Sequence, residues 1–132
     1  MEKDAQKLQQ KYIEMQIMDQ QMKQIQQQIQ LIESQLVEVE NTKQALNDLQ
    51  KTNNGSEILA PISNGIFLKA TLTDNQKLRV NVGSGTVVEK TIPEVMDIIE
   101  EQEGEIKKAY GQLTAEMQKL STKALAMEEE LK

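Results

Sequence analysis

The residues of this chain that could do chemistry are mostly carboxylates, together with one glycine-rich segment. Its 21 Asp and Glu residues could in principle supply an acid–base pair or magnesium ligands. The segment Gly83-Ser84-Gly85 lacks the Lys-Ser/Thr of a phosphate-binding loop, and strand-like sequence follows it where a helix N-terminus would be needed. The chain contains no His, which is the commonest general base, and no Cys, which supplies the thiolate nucleophile. The composition therefore predicts a protein that is not an enzyme and that has no metal site and no cofactor.

Most of these carboxylates lie in two long segments. In each segment, apolar residues recur at alternating steps of three and four residues. Such spacing places the apolar side chains on one narrow side of a helix, which is the pattern of a coiled coil. In the first segment the stripe is Leu8, Met15, Met18, Met22, Ile25, Ile29, Ile32, Leu36, Val39 and Leu46. In the second it is Ile92, Met96, Ile99, Ile106, Tyr110, Leu113, Met117, Leu120, Ala124, Met127 and Leu131.

Glu103 interrupts the second stripe. We expect its carboxylate to pair with Lys43, a charged residue of the first stripe, and so to fix the register of the two helices. Gly104 and Gly111 lie inside the second helix and should each cost about 1 kcal/mol relative to Ala. The sequence at Gly104 predicts a locally loosened helix, with a close approach of another backbone as the alternative.

The block between the helices has a different pattern, in which strand-forming residues tend to alternate with polar ones. Turn-forming segments divide it into four predicted strands, at 57–62, 65–72, 77–82 and 86–90. Thr91 should cap the second helix with Glu94 as its capping-box partner, and Pro93 is tolerated in the first turn. Pro61 should lie near a strand end or on an edge, where its missing N–H does least harm.

The predicted fold is mostly α with a small β part: an antiparallel coiled-coil hairpin whose helices are joined by two β-hairpins. We expect a single domain over 1–132, with helices at 4–51 and 92–131 and the hairpins at 57–91. The first helix would be roughly 70 Å long at ~1.5 Å per residue. Pairing the helices from their shared base puts Leu46 near Ile99 and brings both chain termini to the same far end, the arm tip.

Two hairpins this short cannot form an independent core, and their exposed edges invite association. We therefore expect them to pair with hairpins of other subunits as an oligomerisation hub. The alternative is that they fold back on their own helix base. The hub residues would be Ile58, Leu59, Ile62, Ile66, Phe67, Leu68, Leu72, Leu78, Val80, Val82 and Val87.

Charge and hydropathy exclude several classes of partner. The net charge is −6, and residues 93–132 carry ten acids against five bases, so a basic stripe for nucleic acid is missing. The apolar runs are too short to span a bilayer, and the N-terminal sequence does not resemble a secretory signal. We expect a cytoplasmic protein with no nucleic-acid or membrane partner.

The whole pattern resembles the α class of prefoldin (GimC), of archaeal type. Its most specific parts are Ile58-Leu59-Ala60-Pro61-Ile62-Ser63-Asn64-Gly65-Ile66-Phe67-Leu68-Lys69-Ala70 and Val80-Asn81-Val82-Gly83-Ser84-Gly85-Thr86-Val87-Val88-Glu89-Lys90-Thr91. The resemblance implies a heterohexamer of two α and four β subunits, whose hairpins form two β-barrels bearing six coiled coils. It also implies an ATP-independent holdase that binds nonnative polypeptides at the arm tips and delivers them to a group II chaperonin.

Within this resemblance, the residues expected to contact clients lie at the arm tip, where helices fray and apolar side chains are incompletely covered. Methionine suits such a surface because it adapts to varied partners. The alternative for each methionine is that it only fills the seam. The competing function is a coiled-coil tether or scaffold that binds one specific folded partner. The candidate client residues are Leu8, Tyr12, Met15, Met18, Met127 and Leu131.

Overall fold

The computed structural model describes residues 2–131 and contains two long helices joined by two antiparallel hairpins. The elements in chain order are α1 (Glu2–Lys51), β1 (Glu57–Ser63), β2 (Ile66–Thr71), β3 (Lys77–Asn81), β4 (Val87–Thr91) and α2 (Ile92–Glu130). Strand β1 pairs with β2, and β3 pairs with β4, in two separate two-stranded sheets. The fold class predicted from the sequence is confirmed, and the observed strand ends lie within one residue of the predicted ones.

Helix α1 ends where the sequence changes from helix formers to turn formers. The backbone N–H of Thr52 donates to the Leu49 carbonyl at 3.1 Å, and the Thr52 hydroxyl donates to the Asp48 carbonyl at 2.8 Å. These bonds satisfy carbonyls that a helix end otherwise leaves without partners. Gly55 follows with φ 90°, a backbone conformation that side chains with a Cβ rarely adopt. The chain then turns into β1.

The two hairpins are closed by different turns. In the first, Ser63 lies opposite Ile66 and the connecting Asn64-Gly65 has its positive φ, 78°, at the glycine. The register also shifts between Pro61 and Ser63, so β1 carries a bulge. In the second, three successive residues (83–85) have positive φ, and this turn is closed by two hydrogen bonds of 2.9 Å between Val82, Gly83 and Thr86. The glycine-rich segment is therefore a hairpin turn, as expected.

Helix α2 begins with a cap formed by Thr91 and Glu94. The Glu94 N–H donates to the Thr91 hydroxyl oxygen at 3.3 Å, and that hydroxyl donates to Glu94 Oε1 at 3.1 Å. The predicted cap is confirmed, except that the Glu94 carboxylate accepts from the hydroxyl and not from the backbone N–H of Thr91. An ion pair of 3.9 Å with Lys90 adds a further contact to the same carboxylate.

The described chain separates into two compact units. The terminal unit comprises the residues up to Val37 together with those from Gly104 onward, and the base unit comprises Glu38–Glu103. The base unit has a small core built from Leu46, Ile92 and Val95, against which further apolar side chains pack: Leu49, Leu78, Val80, Met96 and Ile99. Ile92, at the junction of β4 and α2, is 1% exposed. The expected proximity of Leu46 and Ile99 is therefore confirmed.

In the terminal unit, the N-terminal part of α1 lies beside the C-terminal part of α2. Lys11 Nζ lies 2.8 Å from Glu130 Oε2, and the Tyr110 hydroxyl lies 3.5 Å from Glu33 Oε1. Met18, Ile25, Ile29 and Met127 are buried there. The helices are antiparallel in this unit, and the first and last described parts of the chain lie close together, as predicted; residues 1 and 132 themselves lie outside the described residues.

The seam residues predicted from the sequence are covered to different degrees. Among those named, Ile25, Ile29 and Leu46 are buried, and the others are half-buried: Met22, Ile32, Leu36, Val39, Met96, Ile99, Ile106, Tyr110, Leu113, Met117 and Leu120. In a two-helix pair, each apolar stripe is covered only by the helix opposite it, so most side chains of the stripe are only partly buried.

The expectation of a loosened helix at Gly104 is wrong, because α2 is an unbroken α-helix through Gly104 and Gly111. The alternative, a close approach of another backbone, is not seen either: apart from its chain neighbours and the nearby backbone of its own helix, a Cβ at either glycine would meet no atom of the described chain within 4 Å. Both positions can hold a side chain, and the helix retains the entropic cost of two glycines without a packing benefit inside the chain.

Replacing Gly111 with Ala should raise the free energy of unfolding by about 1 kcal/mol, because Ala is the better helix former and the site is open. Ala115→Gly, four residues along the same helix at an exposed position, is the matched control and should lower it by a similar amount. Urea denaturation followed by circular dichroism measures both. A destabilised Gly111→Ala variant would contradict this account.

Candidate interaction surfaces

The β1–β2 hairpin presents apolar side chains on both faces near its turn. Residues directly opposite each other in an antiparallel pair share a face, so Pro61 and Phe67 lie on one face and Ala60 and Leu68 on the other. The exposed apolar residues of this hairpin are 56–67% exposed: Leu59, Ile62, Ile66, Phe67 and Leu68. This much exposed apolar surface on one short hairpin indicates an interaction surface.

The β3–β4 hairpin differs, since one of its faces is covered by its own chain. Leu78 and Val80 pack against the core of the base unit. The opposite face carries polar pairs, with Lys77 opposite Thr91 and Arg79 opposite Glu89. The alternative in which a hairpin folds back on the helix base thus describes this hairpin and not the first one.

The eleven residues predicted for oligomerisation therefore fall into two groups. Leu72 is buried, and Ile58, Leu78 and Val80 are half-buried within the chain. The remaining seven are exposed: Leu59, Ile62, Ile66, Phe67, Leu68, Val82 and Val87. The exposed group includes every predicted residue next to a hairpin turn.

At the end of the terminal unit, the six residues predicted to contact clients are also divided. Leu8 and Tyr12 are 47% and 53% exposed, whereas Met18 and Met127 are buried at 6% and 8%. Met15 and Leu131 are half-buried. The seam between the two helices thus takes up Met18 and Met127, and Leu8 and Tyr12 remain accessible to a partner.

Sequence reasoning missed three accessible apolar residues in the same part of the chain. Ile13 and Ile17 on α1 and Leu125 on α2 are 50%, 49% and 62% exposed. They were missed because the search followed the seam, and these residues lie off it. Ile13 and Ile17 are four residues apart and therefore share a helix face. A helical projection of the sequence shows this shared face and could have identified them.

Lys43 and Glu103 form the ion pair predicted from the break in the second stripe. Lys43 Nζ lies 3.3 Å from Oε1 and 3.4 Å from Oε2 of Glu103, and both side chains are half-buried in the base unit. The hydrogen bond to the Glu103 carboxylate raises the pKa of Lys43 above its ordinary value of 10.5. The predicted contact is confirmed; its role in fixing the register stays a prediction.

Across residues 2–131, no three or more acidic side chains converge as metal ligands would. In the same range, neither helix combines the length and hydropathy that a membrane crossing requires. In the glycine-rich turn, the Gly83 N–H donates to Asn81 Oδ1 at 3.0 Å and the Thr86 N–H to the Gly83 carbonyl. These donors are engaged within the turn, so the surfaces with accessible apolar side chains are the better candidates for function.

Comparison with known proteins agrees with this geometry. The family model described as prefoldin subunit matches residues 18–132. The chain belongs to the prefoldin family. The prefoldin α subunit of Pyrococcus horikoshii is 35% identical over 80% of this chain and 74% of its own length. That of Methanopyrus kandleri is 32% identical over 62% of this chain, and the match spans about half, 52%, of its length.

A filamentous prefoldin from Methanocaldococcus jannaschii, solved by cryo-electron microscopy, has the same fold. Its TM-score with this chain is 0.75 at 16% identity, over 87% of this chain and 95% of that one. The resemblance that rests on residues 58–70 and 80–91 is therefore confirmed at the level of family and fold. In a prefoldin chain, the exposed hairpin and the exposed residues of the terminal unit are the surfaces to consider for partners.

The Lys43–Glu103 pair should stabilise the fold over a defined pH range. A lysine whose folded-state pKa is raised contributes stability that is fully present below its unfolded value and is lost as pH rises through the folded value. The difference in unfolding free energy between the wild-type chain and Lys43→Met should therefore be constant below about pH 10 and shrink above it. Chemical denaturation from pH 7 to pH 11.5 measures this difference.

Lys69→Met is the matched control for that experiment. Lys69 pairs with Glu57 at 3.7 Å, but the two side chains are 81% and 66% exposed, and exposed pairs add little to stability. This variant should differ little from wild type at any pH. A Lys43→Met variant that behaves in the same way would show that the half-buried pair has no stabilising role.

Proposed function

We propose that this chain is a subunit of an ATP-independent holdase that binds nonnative polypeptides at the end of its helix pair. The observation that carries the proposal is the set of accessible apolar side chains on the terminal unit of a prefoldin-family chain. We name this set the tip surface: Leu8, Tyr12, Ile13, Ile17 and Leu125. Prefoldin membership supports a chaperone subunit role, and the proposed client is any unfolded chain with apolar segments.

The proposed mechanism uses many weak contacts. Each tip surface offers a few side chains that are about half covered already, so the area available to one client segment is small. Several such surfaces in one assembly raise the effective concentration of the second and later contacts. Such binding holds a client without burying it and reverses without a nucleotide. Half-buried Met15 and Leu131 could extend the surface, whereas Met18 and Met127 belong to the seam.

The proposed assembly contains two chains of this type and four β-type prefoldin subunits, joined through their hairpins in two β-barrels. The exposed apolar residues of the β1–β2 hairpin support it, because they would be covered by neighbouring strands in a barrel. Delivery of the client to a group II chaperonin and a cytoplasmic location complete the proposal and rest on the family alone.

The first test is suppression of aggregation. The chain is mixed with a β-type prefoldin subunit, the assembled mass is measured by native mass spectrometry, and citrate synthase is diluted from denaturant into the mixture without ATP. We expect an assembly with the mass of a hexamer that reduces light scattering. A hexamer that leaves scattering unchanged would refute the holdase and favour a tether that binds one folded partner.

Substitution of the tip surface should weaken client binding and leave assembly intact. The double change Leu8→Ser and Tyr12→Ser removes two accessible apolar side chains, and each should contribute about 1 kcal/mol or more to binding. We expect client affinity to fall about tenfold or more, measured by fluorescence anisotropy of a labelled unfolded protein. The hexamer mass should be unchanged.

The matched control for this pair is Leu31→Ser with Val37→Ser. These residues are 62% and 61% exposed on the same helix but lie farther from its N-terminus. Client affinity should be within about twofold of wild type if the tip surface is the binding site. Equal losses in both variants would place binding along the whole helix, and loss of the hexamer in the first variant would give Leu8 and Tyr12 a structural role.

A further inference from the structure

Two Asn-Gly dipeptides in the base unit each place an asparagine side chain beside an unhindered backbone amide. They are Asn54-Gly55, between α1 and β1, and Asn64-Gly65, in the turn of the β1–β2 hairpin. Asparagine is one of the thermally labile residues of proteins. It is most labile before glycine, because a residue without a Cβ leaves its backbone nitrogen open to the preceding side chain. All four residues are exposed, so exposure does not distinguish the two sites.

The reaction at such a site is deamidation, and its only co-reactant is water. The backbone nitrogen of the glycine loses its proton to a solvent base and attacks Cγ of the asparagine. A bond forms between that nitrogen and Cγ, the bond from Cγ to Nδ2 breaks, and the amide group takes up a proton and leaves as ammonia. Water then opens the resulting imide ring at either carbonyl carbon, which gives an aspartate or an isoaspartate with a new carboxylate. The attacking nitrogen must therefore leave any hydrogen bond that it donates.

At the first of these sites, the attacking nitrogen is held in place. The Gly55 N–H donates to the Leu72 carbonyl at 2.7 Å, and the Leu72 N–H donates to the Ser56 carbonyl at 2.9 Å. The Ser56 N–H donates to the Asn53 carbonyl at 3.2 Å and closes the same turn. Ring closure at Asn54 has to break the first of these bonds and move Gly55 away from the end of β2.

At the second site, the attacking nitrogen is not restrained in this way. Gly65 lies between β1 and β2, and among the turn and loop hydrogen bonds of residues 2–131 none has its N–H as the donor. The ladder beside it is irregular as well, since the register shifts between Pro61 and Ser63. A hydrogen bond of average strength lowers the share of unbonded amide about fivefold. The structure therefore favours reaction at Asn64 over Asn54.

The turn that contains Asn64 lies in the apolar part of the hairpin. Ile62 and Ile66 flank it and are 67% and 56% exposed, and they belong to the surface that the proposed assembly covers. A new carboxylate beside them is costly once that surface is covered. An isoaspartate also lengthens the backbone of the turn by one atom, and turn length sets the register of a hairpin.

We propose that Asn64 is a site of spontaneous deamidation, faster there than at Asn54, and that the carboxylate it acquires weakens assembly through the β1–β2 hairpin. The site follows from the chain's own hydrogen bonds, whereas its effect on assembly rests on the proposed function. Deamidation would then give the chain an age-dependent loss of affinity for its partner subunits.

The site is tested by measuring both rates on the full chain, incubated in mildly alkaline buffer while circular dichroism shows it folded. Trypsin together with a Glu-specific protease cuts after Lys51, Glu57 and Lys69, which places Asn54 and Asn64 on separate peptides. Mass spectrometry follows the mass increase as each amide becomes an acid. We expect deamidation at Asn64 to be about fivefold or more faster. Equal rates, or a faster Asn54, would overturn the assignment.

The same incubation in concentrated urea is the control for local sequence. Both sites are Asn-Gly, so unfolding should make the two rates similar by releasing the Gly55 N–H from the Leu72 carbonyl. A difference that persists unchanged in urea would show that the neighbouring residues, and not this hydrogen bond, determine it. That result would also overturn the assignment.

The effect on assembly is tested with Asn64→Asp, which carries the charge of the product, against Asn64→Ser, which is neutral and cannot deamidate. Asn54→Asp is the matched control, because it places the same charge on the other exposed turn. Assembly with a β-type prefoldin subunit is titrated by native mass spectrometry. We expect Asn64→Asp to assemble about fivefold or more weakly than Asn64→Ser, and Asn54→Asp to assemble like the wild-type chain.

Two further outcomes separate the parts of the proposal. Equal assembly of Asn64→Asp and Asn64→Ser, or an equal loss for Asn54→Asp, would overturn the effect assigned to this turn. A wild-type chain that does not assemble with a β-type subunit at all would refute the proposed function, and with it the effect on assembly. The two deamidation rates would still decide the site.

Discussion

The packing of Ile92 against Leu46 and Val95 is the interaction on which the base unit depends. At this point the end of α1, the start of α2 and the inner face of β3 share one core, because Leu78, Val80 and Ile99 contact the same cluster. Ile92 also donates its backbone N–H to the Gln76 carbonyl at 3.1 Å, so the junction of strand and helix is held by the main chain as well. Burial of one branched side chain thus joins elements that could not be stable alone.

That core is small, and its size explains why so much apolar surface stays exposed. Eight apolar side chains are buried among the described residues; seven lie in the helix stripes or in the base cluster, and Leu72 lies directly after β2. A two-helix pair covers each stripe from one side, and a two-stranded sheet can cover one face against its own helices. The β3–β4 hairpin uses this cover and the β1–β2 hairpin does not, which leaves the latter for partners. The exposed apolar surface therefore follows from the architecture, and the proposed function depends on that surface.

Much of the fold could be predicted because its signals are local. The two stripes specified the helices, the turn residues specified the hairpins, and Thr91 with Glu94 marked the start of α2. The Lys43–Glu103 contact could also be predicted, since a charge inside an apolar stripe of each helix leaves few other ways to lower its free energy. The expected loosening at Gly104 was wrong because a single glycine costs about 1 kcal/mol, which is too little to break a helix supported by neighbouring turns and by packing.

The sequence by itself determined the secondary structure and the antiparallel pairing, because periodicity and turn chemistry act over a few residues, and its resemblance to prefoldin at residues 58–70 and 80–91 indicated the family. The tertiary structure decided which apolar residues are accessible. It buried Met18 and Met127, left Tyr12, Ile13 and Ile17 exposed, and covered one hairpin but not the other. The physical reason is that exposure depends on what lies across from a side chain, and that neighbour is set by the folded chain as a whole.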